Sequence, residues 1–152
     1  MKKVIFFFIV TIFGIFIYYF INDSYRYSLE AKAFYELKEY KKAYKLANKA
    51  YKKDKYNKMA FTIVTQSQIA MIWEKFIKES KEYFMQIDLI SNKKTITKAD
   101  KIRIKMMLEI IIGEYKNLPN SKLLDEELRQ KAQIQYKKAR KLYDGIFKKR
   151  TE

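Results

Sequence analysis

The sequence predicts an all-α protein: one N-terminal helix apolar enough to span a bilayer, then a domain of about five helices. Three observations predict it. Residues 4–21, VIFFFIVTIFGIFIYYFI, carry no charge. The rest of the chain holds one proline, Pro119, and two glycines, Gly113 and Gly145, too few breakers for the turns of a β-sheet protein. Its apolar residues recur at three- and four-residue spacing through long stretches rich in Lys and Glu.

The apolar run comes first in the chain. At about 1.5 Å per residue a helix over residues 4–21 is roughly 27 Å long, close to the ~30 Å hydrocarbon core of a bilayer. A helix also satisfies every backbone polar group within the segment, as lipid requires. Tyr18 and Tyr19 near its end suit the interfacial aromatic belt. A cleaved signal peptide would end in small residues of A-x-A type. Here Tyr19, Phe20 and Asn22 stand at that place, and Ala31-Lys32-Ala33 follows about ten residues too late. The reading is an uncleaved transmembrane signal-anchor, residues 1–22, that touches lipid through residues 4–21 and tethers residues 23–152. The flanking charge is even, Lys2 and Lys3 against Arg26 and Lys32. The order basic, apolar, polar is that of an export signal. The expected placement is therefore the bacterial inner membrane, N-terminus in the cytoplasm and helical domain in the periplasm.

Residues 24–37, SYRYSLEAKAFYEL, read as the next helix, with Tyr27, Ala31, Phe34 and Leu37 on one face. In residues 39–54 the stripe is narrower: Tyr40, Ala43, Ala47, Ala50 and Tyr51 on a lysine-covered helix. Small residues at 43, 47 and 50 let a neighbour approach closely, so Phe34, Leu37, Tyr40, Ala43, Ala47 and Ala50 form the candidate seam of a helix pair. Residues 57–90 contain no Gly or Pro. Ile69, Ile72, Trp73, Phe76, Ile77, Ser80, Tyr83, Phe84 and Ile87 follow one face there, either as one long helix or as a second helix pair. Residues 91–94 read as a loop. Thr97 and Asp100 have the spacing of a capping box and start another helix, although Ile102–Lys105 alone also reads as strand. Leu118-Pro119-Asn120 ends it. Asn120 or Ser121 is expected to cap a last helix with Asp125, Glu126 and Glu127 in its first turns and Lys148, Lys149 and Arg150 at its end. The heptapeptide pattern Tyr-Lys-Lys-Ala-x-Lys-Leu at 40–46 returns at 136–142, as a repeat or as lysine-rich low complexity.

Tyr27, Ala33, Phe34 or Tyr35, Leu37, Tyr40, Ala43 and Ala50 together resemble a tetratricopeptide repeat, a pair of antiparallel helices in about 34 residues. The resemblance covers residues 24–57; a plain amphipathic hairpin is the alternative. Lys38 replaces the usual turn glycine, and Lys55 stands where proline often closes the repeat. The resemblance implies a TPR-like solenoid that docks other proteins through a groove. Combined with the anchor, it implies a scaffold or chaperone-like assembly factor for an envelope complex of secretion, division or flagellar type. Its partners would then be membrane or envelope proteins.

The chemistry that is missing bounds function from the other side. Without cysteine or histidine there are no disulfides, no thiolate metal sites and no imidazole base. Phosphate-binding glycine loops and nucleophile–base sets are absent as well. Asp125, Glu126 and Glu127 are consecutive and so fan around a helix instead of facing one another. No enzyme, cofactor or metal is expected. The net charge of +16 comes from 28 Lys and 5 Arg against 17 acidic residues. It could draw the chain to anionic lipid or an envelope polymer, which is the alternative function. Nucleic acid is not an expected partner, because base readout leans on Arg and there is little of it. The sequence leaves the oligomeric state and the partner-binding surface open.

Overall fold

Six helices and their short links make up the structure, a computed structural model that describes residues 2–148, with side chains at 4–15 and 22–148. In chain order they are α1 Lys2–Ile21, α2 Asp23–Glu36, α3 Tyr40–Lys53, α4 Lys58–Ser91, α5 Lys98–Lys116 and α6 Glu126–Phe147. No strand occurs among the described residues, and Ile102–Lys105 lies inside α5.

The transmembrane anchor is corrected. α1 is a helix, but among the described residues no helix is long and apolar enough to cross a membrane. The belt tyrosines, Tyr18 and Tyr19, lie outside the described side chains.

The chain divides into two compact units, residues 1–68 and 69–152, with the boundary inside α4. In the first unit, Asn22 separates α1 from α2: its side chain accepts the Ser24 N–H at 3.0 Å and caps α2. α2 ends in a Schellman turn. The Lys38 N–H donates to the Tyr35 carbonyl at 3.0 Å and the Glu39 N–H to the Phe34 carbonyl at 2.9 Å. That turn requires a left-handed residue, and Lys38 supplies it at φ 62°. A lysine is thus bent into a conformation that glycine adopts more readily.

The turn folds α3 back along α2. Ala43 and Ala47 are fully buried in a cluster with Ala31 and Ile63, against which Phe34, Tyr35, Leu46, Met59 and Val64 pack. A polar knot closes the far end of the hairpin. The Ser24 hydroxyl donates to the Ala50 carbonyl at 2.9 Å. The Asn57 amide donates to the Ser24 and Ser28 hydroxyls at 2.9 and 3.2 Å. The same Asn57 side chain accepts the Ala60 N–H at 3.0 Å and so caps α4. Asn57 thus bonds α2 and α4 directly, and the Ser24 hydroxyl carries the link on to α3.

In the second unit large side chains do the filling. Trp73, Phe76, Phe84 and Ile87 of α4 are buried, as are Leu108 and Ile111 of α5 and Leu128 and Ala132 of α6. α4 and α5 run antiparallel: Trp73 and Phe76 meet Tyr115 at one end, and Lys93 meets Asp100 at the other. Tyr115 stacks on Tyr136 of α6 at 4.4 Å. The Trp73 indole N–H donates to the Pro119 carbonyl at 2.9 Å. α6 begins later than the sequence suggests. Asp125, not Asn120 or Ser121, is its cap, accepting the Glu127 N–H at 2.8 Å. Ser121 instead accepts the Leu123 N–H in a separate turn that puts Leu124 in the core. Lys148 follows the last turn, while Lys149 and Arg150 lie outside the described residues.

Candidate functional site: an open groove between α4 and α5

The residues of the candidate seam take different places. Tyr40, Ala43, Ala47 and Ala50 are buried, and Phe34 packs at the edge of their cluster. Leu37 does not join them: it is 69% exposed. Helical spacing puts Leu37 on the stripe, but as the C-cap it sits where the chain leaves the helix for the Lys38 turn. Buried alanines and a shielded tyrosine hold two helices together and offer nothing to a ligand.

The apolar surface that is open to a ligand lies elsewhere. Gln86, Leu89 and Ile90 of α4 and Arg103, Met106, Met107 and Ile110 of α5 line a groove of about 510 Å³. Leu89 is 72% and Met106 56% exposed, whereas Met107 forms the floor at 8%. The spacing of 103, 106, 107 and 110 is that of one helix face. α5 thus carries two apolar faces: Ile104, Leu108, Ile111 and Ile112 point into the core while Met106 and Ile110 point out. The wide apolar coverage of α5 is a sequence signal for this. Such a helix needs neighbours on more than one side, and the second unit supplies them on one.

The open end of the groove is fixed by a clasp. Thr97 caps α5 with a full capping box, its hydroxyl accepting the Asp100 N–H at 3.1 Å while Asp100 accepts the Thr97 N–H at 3.1 Å. Lys93 reaches across from the end of α4 to Asp100 at 2.7 Å. The Lys93 and Thr97 bonds hold the Asp100 carboxyl down at about 2. Glu109 is likewise engaged, with Lys105 at 3.8 Å and the Tyr143 hydroxyl at 3.0 Å. Lys94, Lys98, Lys101 and Arg103 have no ion-pair partner among the described residues, against the single unpaired carboxylate of Asp88 in the same stretch. The groove is therefore apolar along its length and positively charged at one end.

A second hollow, about 200 Å³, lies between Ile72, Phe76 and Leu118 with Lys75, Glu79 and Glu114 at its mouth. Burial, and then the charge of Glu79, pushes the Glu114 carboxyl up. Lys75 pairs with Glu79 at 3.7 Å. Among the described residues no group of three or more acidic side chains is placed to hold a metal ion. Neither family models, nor curated proteins, nor solved structures give a match to this chain.

Proposed function

We propose that this chain is a helical docking module, a scaffold that binds another protein through the α4–α5 groove. The observation that carries the reading is the outward apolar face of α5 beside Leu89. Exposed Leu, Ile and Met side chains, contiguous and lining a concavity, gain free energy when a partner covers them. Methionines suit such a surface because their unbranched side chains adapt to the occupant. The likeness of residues 24–57 to a tetratricopeptide repeat belongs to the same reading. It is supported by the antiparallel α2–α3 pair and its buried alanines. The envelope setting rested on the anchor, and this reading does without it.

Site-specific photo-crosslinking tests the proposal. A crosslinker at Met106 should trap a discrete protein adduct that persists at about 0.5 M salt, where exposed charge attraction is screened over a few ångströms. The same crosslinker at Lys45, on the lysine-covered side of α3, should trap none. Equal adducts from both positions, or loss of the Met106 adduct at high salt, would favour the charge-driven binder of anionic lipid or polymer instead.

A further inference from the structure

Resting on that docking reading, we infer that the groove takes an amphipathic helix whose apolar stripe ends in carboxylates. The lining dictates the form. Leu89 and Ile90 on one wall and Met106, Met107 and Ile110 on the other leave a trough between two antiparallel helices. A third helix laid along it would complete a three-helix packing, with anchors at i, i+3, i+4 and i+7. The α5 wall from Arg103 to Ile110 extends about 10 Å, so two to three turns of the occupant engage it.

The charge dictates the sign. Arg103 is in the groove wall, and Lys94, Lys98 and Lys101 stand on the same hairpin end, none with an ion-pair partner among the described residues. Of the nearby acids, Asp100 and Glu109 are committed to Lys93 and Lys105, which leaves Asp88 as the single unpaired carboxylate of that stretch against these four cations. An occupant with Glu or Asp beside its apolar stripe gives Arg103 the forked, charge-assisted partner it lacks. A basic occupant would meet like charge.

The same reasoning excludes this chain as its own occupant. A second copy brings a net charge of +16 to a basic groove. Its most apolar helix, α1, contains no acidic residue and starts with Lys2 and Lys3. A contact this small is weak and transient, with affinity of about micromolar order.

The test uses the full chain and three fluorescein-labelled model helices of about four turns, read by anisotropy. One has leucines at i, i+3, i+4 and i+7 flanked by glutamates. The second replaces the glutamates with lysines, and the third keeps the glutamates but replaces the leucines with alanines. The glutamate–leucine helix should bind at least about tenfold more tightly than either of the others. Arg103→Glu should reverse the preference between glutamate and lysine helices, and Met106→Glu should weaken both. Both positions are exposed, and unchanged circular dichroism of the variants checks that they fold.

Equal binding of the lysine helix, or an unchanged preference in Arg103→Glu, would overturn the charge rule. The groove as a docking site would survive that outcome if Met106→Glu still weakened binding. Tight binding of the alanine helix would overturn both, because charge alone would then suffice. Failure of all three helices to bind would overturn the inference and leave the docking reading to the crosslink at Met106. Self-association that Met106→Glu abolishes, seen by sedimentation, would make a second copy the occupant and overturn the inference as well.

Discussion

The α2–α3 hairpin and the α4–α5–α6 layer of the second unit solve one problem by opposite means. In the hairpin the fully buried contacts between α2 and α3 centre on Ala31, Ala43 and Ala47, with Phe34, Tyr35 and Leu46 only partly buried around them. The two helices lie close along most of their length. Alanines bury little area each, so apolar burial alone specifies register weakly there. Hydrogen bonds among Ser24, Ser28, Asn57 and the Ala50 carbonyl specify it instead. In the second unit Trp73, Phe76, Leu108 and Ile111 fill the space, and the shapes of large side chains set how the helices meet. In the hairpin, buried hydrogen bonds add the specificity that small side chains supply only weakly.

Variants of each kind can break that contrast. The largest effect should come from Leu108→Ala. Leu108 is fully buried, and truncation there should cost about 2–5 kcal/mol by transfer and cavity terms together. Hydrogen exchange, read segment by segment, should show the loss across α5 and α6. The hairpin should show the reverse sensitivity. Ala43→Leu, an insertion into a seam with no spare space, should cost about 1–3 kcal/mol, while Lys45→Leu on the same helix should stay within about 0.5 kcal/mol. Equal melting temperatures for these two variants would mean that Ala43 is not packed.

Asn57→Ala comes next, at about 1–2 kcal/mol, since it removes the cap of α4 and leaves the Ser24 and Ser28 hydroxyls without their donor. Protection should fall in α2 and α3 before it falls in α5. Uniform loss throughout the chain would show that the knot does not belong to the hairpin alone.

Acid should act on the second unit through the clasp. The folded-state pKa of Asp100 is depressed to about 2, so its contribution is complete above the ordinary carboxylate range near pH 4. It is lost as pH falls toward 2. Asp100→Asn should lower stability at neutral pH and flatten the acid limb of the pH–stability curve. A wild-type curve no steeper than the variant's would refute the clasp.

The smallest effect is a gain. Lys38→Gly should stabilise by about 0.5–1 kcal/mol, because glycine takes the left-handed conformation of the Schellman turn without the strain that a lysine Cβ incurs there.

Much of this fold was legible because it is periodic or local. Alanines at 43, 47 and 50 announce a close helix contact, and Thr97 with Asp100 announces a helix start from four residues. Thirty-four residues without Gly or Pro allowed either one long helix or a helix pair, and the structure has the single helix α4. Asn57 was half legible. Its capping role could be read from its place just before Lys58, but its bonds to Ser24 and Ser28 cross 33 and 29 residues and leave no periodic trace. Leu37 and Ile72 show the limit of stripe counting. Both have the right spacing, yet one falls on a turn and the other lies 47% exposed beside the buried Trp73. The groove was hidden for a related reason. Wide apolar coverage of α5 said that it needs neighbours, and spacing alone cannot say which neighbour the chain leaves to others.

The polar knot also bears on the order of folding. Its bonds join residues 26, 29 and 33 positions apart, and all its members precede residue 61. Short loops close at low entropic cost, and helical units with low contact order fold fast. A ribosome adds about 5–20 residues per second, so the hairpin and the first turn of α4 have several seconds to close before α6 exists. Mechanical or proteolytic assays on stalled nascent chains should therefore find α2 and α3 protected once residues beyond α4 have emerged. The α2–α3 hairpin would then leave the ribosome already folded, ahead of the remainder of α4.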